Sequence, residues 1–224
     1  MKDLDILDVE DIVQKRLLQV STESQGIDSL KGILEHKFIA PKHLYKNALL
    51  FMGINPSLSN QILDQKVNYY DLPQRNNVLT YFKKFEEIAK YVDWHWTHLD
   101  LLFFRETKQS TIEDIINKSG LKFIYDQLNI SKNLIEAARP KIIIASNTKV
   151  RQFLGFEKDQ KDMNEWMGFT FKFNSEFGTF ELSNNNLPST PIFFTSMLSG
   201  QRALDIGSYE RLKWHIKYVL KKLQ

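Results

Sequence analysis

The chain has 224 residues, 42% of them hydrophobic and 12% aromatic, which is enough to bury a sizeable core. Its 30 lysines and arginines against 27 aspartates and glutamates give a net charge of +3, which permits nucleic-acid binding without indicating it. It has no cysteine, which excludes disulfide bonds, thiolate metal sites and a cysteine nucleophile. The N-terminus is acidic and no apolar run approaches about 18 residues, so we expect a cytoplasmic protein without a signal peptide or contact with a membrane.

Four short apolar runs predict buried strands, and helical patterns lie between them. In chain order, the patterns predict helices over 4–20 and 29–36, a strand over 48–52, a helix over 75–92, a strand over 99–104, a helix opened by a capping box at Ser110 and Glu113, a helix over 121–138, strands over 142–145 and 192–194, and a last helix capped by Ser208. The 121–138 helix is expected to stop before Pro140.

Residues 169–173 and 177–182 alternate apolar and polar side chains with period two, which predicts a β-hairpin at the edge of the structure. The strand–helix alternation elsewhere predicts an α/β fold, with three α/β/α layers around a central four-stranded parallel sheet. We place an N-terminal helical extension at 1–40, packed on a domain at 41–224.

Polar, loop-forming residues follow each predicted strand of this sheet. They occupy 53–60, the segment around Asp100, the pair Ser146-Asn147, and 195–200. In open parallel sheets, ligands bind outside the carboxyl ends of the strands. The sequence therefore predicts a pocket at this end of the sheet. The five histidines lack the spacing of a zinc site, so we expect no metal.

The segment GINPSLS at 53–59 resembles the first motif of the uracil-DNA glycosylase superfamily, and is closest to the GINPGLS of its mismatch-specific uracil/thymine branch. The order of elements and the SMLS at 196–199 are similar as well, and the resemblance covers residues 47–223. It implies a monofunctional DNA glycosylase of base excision repair, which hydrolyses the N-glycosidic bond of a damaged or mismatched base in DNA. We expect a monomer that needs no cofactor.

The resemblance implies that Asn55 positions the attacking water, although Asn55 and Pro56 also suit a simple turn after a strand. A carboxamide orients water but takes no proton, so slow hydrolysis is expected. Tyr69 or Tyr70 lies where the family stacks an aromatic ring on the flipped base. The alternative is that the two tyrosines form the core and the rim of one loop.

Asp100 opens the segment DLLFFR, which looks like the family's NVVKCR strand, whose first Asn reads the edge of the base. An ionised Asp only accepts hydrogen bonds. It suits a base that presents donors, or it has to be protonated to mimic Asn. The alternative is a buried Asp100 that is bonded to the backbone or to His98.

Phe194 departs from the family, because it stands where a His or Asn steadies the leaving oxygen. The loss of one such donor typically costs about 10²–10³ in rate. The chain therefore has a second interpretation, as a nucleic-acid or nucleotide-binding module of the same fold that does not cleave. A third is a protein-interaction module that uses the acidic N-terminal helices and the hairpin.

The remaining expected DNA contacts come from the resemblance and from polar side chains near the predicted pocket. They are phosphate binding by Ser57, Ser196 and Ser199, a wedge inserted into the duplex by Leu198, and backbone contacts by Gln201 and Arg202. The alternative is an ordinary surface loop in which Met197 and Leu198 pack inward.

Overall fold

The computed structural model describes residues 5–58, 63–71, 80–156, 166–200 and 203–224. The strands in these ranges are β1 (Ile6–Asp8), β2 (Phe38–Pro41), β3 (His43–Tyr45), β4 (Leu49–Gly53), β5 (Val67–Tyr70), β6 (Trp96–Asp100), β7 (Ile142–Ser146), β8 (Thr170–Asn174), β9 (Thr179–Ser183) and β10 (Thr190–Thr195). The α-helices are α1 (Glu10–Glu23), α2 (Lys31–Glu35), α3 (Thr80–Val92), α4 (Gln109–Asn117), α5 (Leu121–Ala138), α6 (Thr148–Leu154) and α7 (Ile206–Lys222). In this part of the chain, no helix combines the length and the apolar character that crossing a membrane requires.

Six of the strands form one mixed sheet in the order β6-β4-β7-β10-β9-β8. The pairings of β6 with β4, β4 with β7 and β7 with β10 are parallel, whereas β9 pairs antiparallel with both β10 and β8. The predicted α/β class is confirmed. The sheet differs from the predicted four-stranded parallel one, because the hairpin β8–β9 pairs with β10 and adds two antiparallel strands to the sheet.

Helices cover both faces of this sheet. Leu50 and Met52 of β4 belong to one buried cluster, which also contains side chains of α1, α4, α5 and α6. Leu49 and Phe51 belong to a second cluster with side chains of α3 and α7. Because neighbouring residues of a strand point to opposite faces, a strand buried on both faces needs an unbroken apolar run. For this reason, the apolar run at 48–52 predicted the strand β4.

The N-terminal segment contributes to the same core. Val13 and Leu17 of α1 are fully buried in the first cluster. A short strand, β1, precedes α1 within the predicted 4–20 helix and pairs with β3. The strand β2 pairs with β5, so the boundary drawn at residue 40 falls inside a paired strand.

The predicted strand at 99–104 lies earlier in the chain, as β6 (Trp96–Asp100). The apolar residues that follow continue as a loop, and side chains of α5 bond part of its backbone. Gln127 Oε1 accepts from the N–H groups of Phe103 at 2.9 Å and Phe104 at 3.3 Å. Ser131 Oγ donates to the carbonyl oxygen of Leu101 at 2.8 Å. The apolar run is therefore a buried loop that leads the chain away from the carboxyl end of β6.

Two predicted helix caps differ in the structure. Asp205 rather than Ser208 caps α7, since its Oδ1 accepts from the N–H of Ser208 at 2.9 Å. The helix α4 begins after Lys108 without a side-chain cap, and Glu113 instead pairs with Lys149 Nζ at 2.6 Å. In each case, a residue whose type suited a cap has a different partner.

Candidate functional site

A cavity of about 460 Å³ lies at the carboxyl ends of β4, β6 and β7. Its volume is within the range of small-molecule sites, about 300–1,000 Å³. The strand ends and the loop after β10 contribute Asn55, Asp100, Ser146, Asn147 and Met197 to its wall. The pocket predicted from the polar strand ends is therefore present, and it brings together residues that are distant in the sequence.

Asn55 follows β4 with its amide group tied to the loop after β6. Its Nδ2 donates to the carbonyl oxygens of Glu106 at 2.6 Å and Pro56 at 3.0 Å, and lies 3.5 Å from that of Phe104. Oδ1 is the remaining polar atom of the side chain. Asn55 thus stabilises a turn, as the alternative held, and it also forms part of the cavity wall.

Asp100 ends β6 with its carboxylate pressed against β4. It is in register with Gly53, and a Cβ atom added to Gly53 would collide with Asp100 Oδ1. The side chain of Asp100 is 12% exposed, and its Oδ1 lies 3.7 Å from Nε2 of His98. This distance is too long for a hydrogen bond, so Asp100 and His98 are neighbours within the cavity wall.

Burial changes the charge state of both side chains. It raises the pKa of Asp100 to about 7 and lowers the pKa of His98 to about 3, because desolvation penalises the charged form of each. His98 is therefore neutral at pH 7, while Asp100 titrates near neutrality. A protonated Asp100 carries one donor and one acceptor, as an asparagine does.

The two candidate stacking residues point in different directions along β5. The hydroxyl of Tyr70 is hydrogen-bonded to Nδ1 of His98 at 2.9 Å. The hydroxyl of Tyr69 lies 3.5 Å from the carbonyl oxygen of Glu10 in α1. Burial, together with the negative charge of Glu10, raises the pKa of Tyr69 to about 12. Both tyrosines line the cavity, and Tyr70 is the one connected to His98.

The predicted DNA-contact residues are in differing positions. Ser57 and Ser196 are exposed and Ser199 is half-buried. Leu198 is 5% exposed and packs in the cluster with α3 and α7, which is the inward packing that the alternative described. Gln201 and Arg202 lie outside the described residues.

Phe194 turns away from the cavity and into an aromatic group formed with the hairpin. Its ring centroid lies 4.8 Å from that of Phe156, 6.0 Å from that of Phe171 and 6.4 Å from that of Phe180. Among the described residues of the loop after β10, Met197 lines the cavity. The structure therefore gives the position of Phe194 a packing role.

Three further polar residues of the cavity wall were not selected from the sequence. Ser146 Oγ and His98 Nε2 are buried without a hydrogen-bond partner among the described residues. Asn147 adopts φ 96° and ψ 141°, a region favoured by glycine, and its Oδ1 accepts from the N–H of Lys149 at 2.9 Å. The polar pair at the end of β7 was a signal for Ser146 and Asn147, whereas burial of His98 is a tertiary property.

The described lining carries three carboxylates, and no lysine or arginine is among its residues. The carboxylates belong to Asp71, Asp100 and Glu106. The aromatic residues of the lining are Tyr69, Tyr70, Tyr81, Phe82 and Trp96. Carboxylates and aromatic faces suit a neutral or cationic ligand, whereas bound phosphate groups are usually held by cations. Within the described ranges, no cluster of three or more His, Asp or Glu side chains could hold a metal ion.

A scan of protein-family models found no match to the chain, and searches of curated proteins and of solved structures found none either.

Proposed function

We propose that the cavity binds a nucleobase turned out of DNA, and that the protein hydrolyses the base–sugar N-glycosidic bond of that base, as uracil-DNA glycosylases do. The main support is the shared position of Asn55 and Asp100 in the wall of one cavity at the carboxyl end of the sheet. The parallel run β6-β4-β7-β10, with helices on both faces, agrees with the α/β/α layers expected for that superfamily.

In the proposed reaction, the duplex hides the bond to be cleaved, so the base first leaves the stack. Asn55 then orients the attacking water through Oδ1. The carbonyl oxygens of Glu106 and Pro56 hold Nδ2 and so fix the direction of the amide. Since a carboxamide takes no proton, the water loses its proton to solvent, and hydrolysis is slow.

Asp100 contacts the edge of the base in this proposal. Its pKa of about 7 makes the protonated form available near neutral pH. In that form the side chain has one donor and one acceptor, as the Asn of the similar family motif does. The absence of lysine and arginine from the described lining favours a site for the base alone, with the phosphates at its rim, near the exposed lining residue Ser57 and the exposed Ser196.

A second candidate function is binding of a nucleobase without cleavage. One observation favours it: Phe194 packs among other aromatic rings, so its position adds no hydrogen-bond donor to the cavity. Without such a donor, the departing base loses stabilisation of its negative charge.

The test uses oligonucleotides that carry uracil, hypoxanthine, xanthine or a mismatched thymine, followed by treatment with alkali. Strand scission by the wild-type chain that disappears in Asn55→Ala supports hydrolysis. Glu176→Gln, which alters an exposed ion pair between the hairpin and Lys222 of α7, is the control outside the cavity and should cleave normally. Circular dichroism tests whether Asn55→Ala still folds, and gel retardation tests whether it still binds the oligonucleotide.

The outcomes separate the two functions. Retarded oligonucleotide without any abasic product favours the binding module. If neither binding nor product is found at low salt, where contacts to the DNA backbone are strongest, both functions are excluded.

A further inference from the structure

We propose that the cavity selects a positively charged nucleobase, one alkylated on a ring nitrogen, over a neutral base. The inference depends on the proposed function for the identity of the ligand as a base. It is carried by the charges, the unpartnered polar atoms and the aromatic rings of the cavity wall.

The three carboxylates of the wall have no cationic partner among the described lining residues. Glu106 Oε1 accepts from the backbone N–H groups of Thr107 at 2.7 Å and Lys108 at 2.8 Å. Asp71 Oδ1 is buried without a hydrogen-bond partner among the described residues. His98, a titratable neighbour of Asp100, is neutral. A cationic ligand would supply the opposite charge that the described lining lacks.

Two further buried atoms in the wall indicate that a polar ligand belongs there. His98 is 2% exposed and Ser146 is 4% exposed. Neither His98 Nε2 nor Ser146 Oγ has a hydrogen-bond partner among the described residues. Buried polar atoms are usually paired, and a ligand that fills the cavity can provide the partners. The acidic wall is therefore part of a cavity with ligand-binding groups of its own.

The aromatic residues favour the same kind of ligand. Tyr70, Tyr81 and Phe82 lie around His98, with ring centroids 6.1, 5.8 and 5.2 Å from its ring. Aromatic faces attract cations as well as stacking on bases. A flat, positively charged ring uses both properties, whereas a neutral base uses only stacking.

The chemistry of the leaving group agrees with this selection. When water adds to the sugar carbon and the C–N bond breaks, the bonding electron pair goes to the ring nitrogen of the base. A base with a positive ring then leaves as a neutral molecule, and the proton of the water passes to solvent. A neutral base would leave as an anion into a wall that holds the carboxyl groups of Asp71, Asp100 and Glu106 and, in the described lining, no lysine or arginine. The cavity is therefore better suited to a cationic base than to a neutral one.

The decisive experiment compares two methylated guanosines that differ by one proton and therefore in charge. Binding of 7-methylguanosine, whose ring is positively charged while N1 keeps its proton, is measured at pH 6 by calorimetry against O6-methylguanosine, which is neutral. We expect the wild-type chain to bind the cation about tenfold more tightly, a difference of about 1.4 kcal/mol. Similar affinities, tighter binding of the neutral nucleoside, or no binding of either would overturn the inference.

Variants identify the groups responsible. Asp71→Asn and Asp100→Asn should each reduce the preference for the cation, and together should reduce it further, because only Glu106 then remains of the three. Glu176→Gln, outside the cavity, should leave the preference unchanged. A preference that the double substitution does not reduce contradicts the assignment to these carboxyl groups. The comparison of the two nucleosides on the wild-type chain needs no variant, so misfolding of a variant does not remove the test.

The same two methylated guanines, placed in DNA, separate this inference from the proposed hydrolysis. Selective binding of 7-methylguanosine without release of N7-methylguanine from an oligonucleotide supports the inference and counts against hydrolysis. Release of O6-methylguanine or uracil, with N7-methylguanine left in place, supports hydrolysis and overturns the inference.

Discussion

The carboxylate of Asp100 occupies the space where a side chain at Gly53 would lie. A Cβ atom at residue 53 would collide with Asp100 Oδ1 and would lie 3.4 Å from His98 Nε2. The carboxyl group of Asp100 can therefore lie at the sheet edge beside the cavity only because residue 53, at the end of β4, is glycine.

Gly53→Ala should displace Asp100 and destabilise the protein by about 1–3 kcal/mol, the usual cost of overpacking a well-packed site. Gly32→Ala is the control, because Gly32 lies in the helix α2 and a Cβ atom added there would have no other atom within 4 Å. That change should stabilise the protein by about 0.5–1 kcal/mol. Both values are measured by urea unfolding, and equal effects of the two substitutions would contradict the close approach of Asp100.

The free energy of unfolding should depend on pH through Asp100 and His98 in opposite directions. The folded-state pKa of Asp100 is about 7 against an ordinary value of 3.8, so its contribution to stability is complete below pH 3.8 and is lost as the pH rises to 7. The folded-state pKa of His98 is about 3 against 6.5, so its contribution is complete above pH 6.5 and is lost as the pH falls to 3. Between pH 3.8 and pH 6.5, the two contributions change with pH in opposite directions and cancel in the free energy of unfolding.

Single substitutions should expose the two slopes. Relative to the wild type, Asp100→Asn should become more stable as the pH rises from 4.5 to 6.5, by up to about 1.4 kcal/mol per pH unit. His98→Asn should become less stable over the same interval, with a slope of the same size. Urea unfolding at several pH values measures both, and curves parallel to that of the wild type would refute the two pKa shifts.

Tyr70→Phe should destabilise the protein by about 1–3 kcal/mol, because it leaves the buried Nδ1 of His98 without the Tyr70 hydroxyl at 2.9 Å. Tyr69→Phe removes a hydroxyl that is 3.5 Å from its partner on the same strand, and should cost less. Thermal and urea unfolding compare the pair. A larger loss in Tyr69→Phe would show that the contact with His98 contributes little.

Asn147→Gly should stabilise the protein by about 1 kcal/mol. The backbone at φ 96° favours glycine, and relief of about 1–3 kcal/mol of strain exceeds the few tenths lost when glycine replaces the helix cap. Asn147→Ala keeps the strain and loses the cap, so it should be destabilised by about 1 kcal/mol. Melting temperatures of the two variants should move in opposite directions, and a shift in the same direction would contradict the strain.

Several elements were predictable because their signals are local. The helix at 121–138 was predicted with its observed bounds, since its apolar stripe is long and Pro140 stops it. The strands β4, β7 and β10 lie at or within a few residues of their apolar runs. The expectation of a pocket also followed from local pattern, because parallel strands present their polar carboxyl ends at one edge.

Other features depended on partners far along the chain. The run at 99–104 resembles a strand as much as β4 does, yet its end is a loop, part of whose backbone is bonded by Gln127 and Ser131 of α5. The amide of Asn55 is held by Glu106, and the pKa of Asp100 is set by burial against β4. Residue type and spacing indicate which groups can titrate or bond. Distance and desolvation, which only the packed chain defines, decide which of them do.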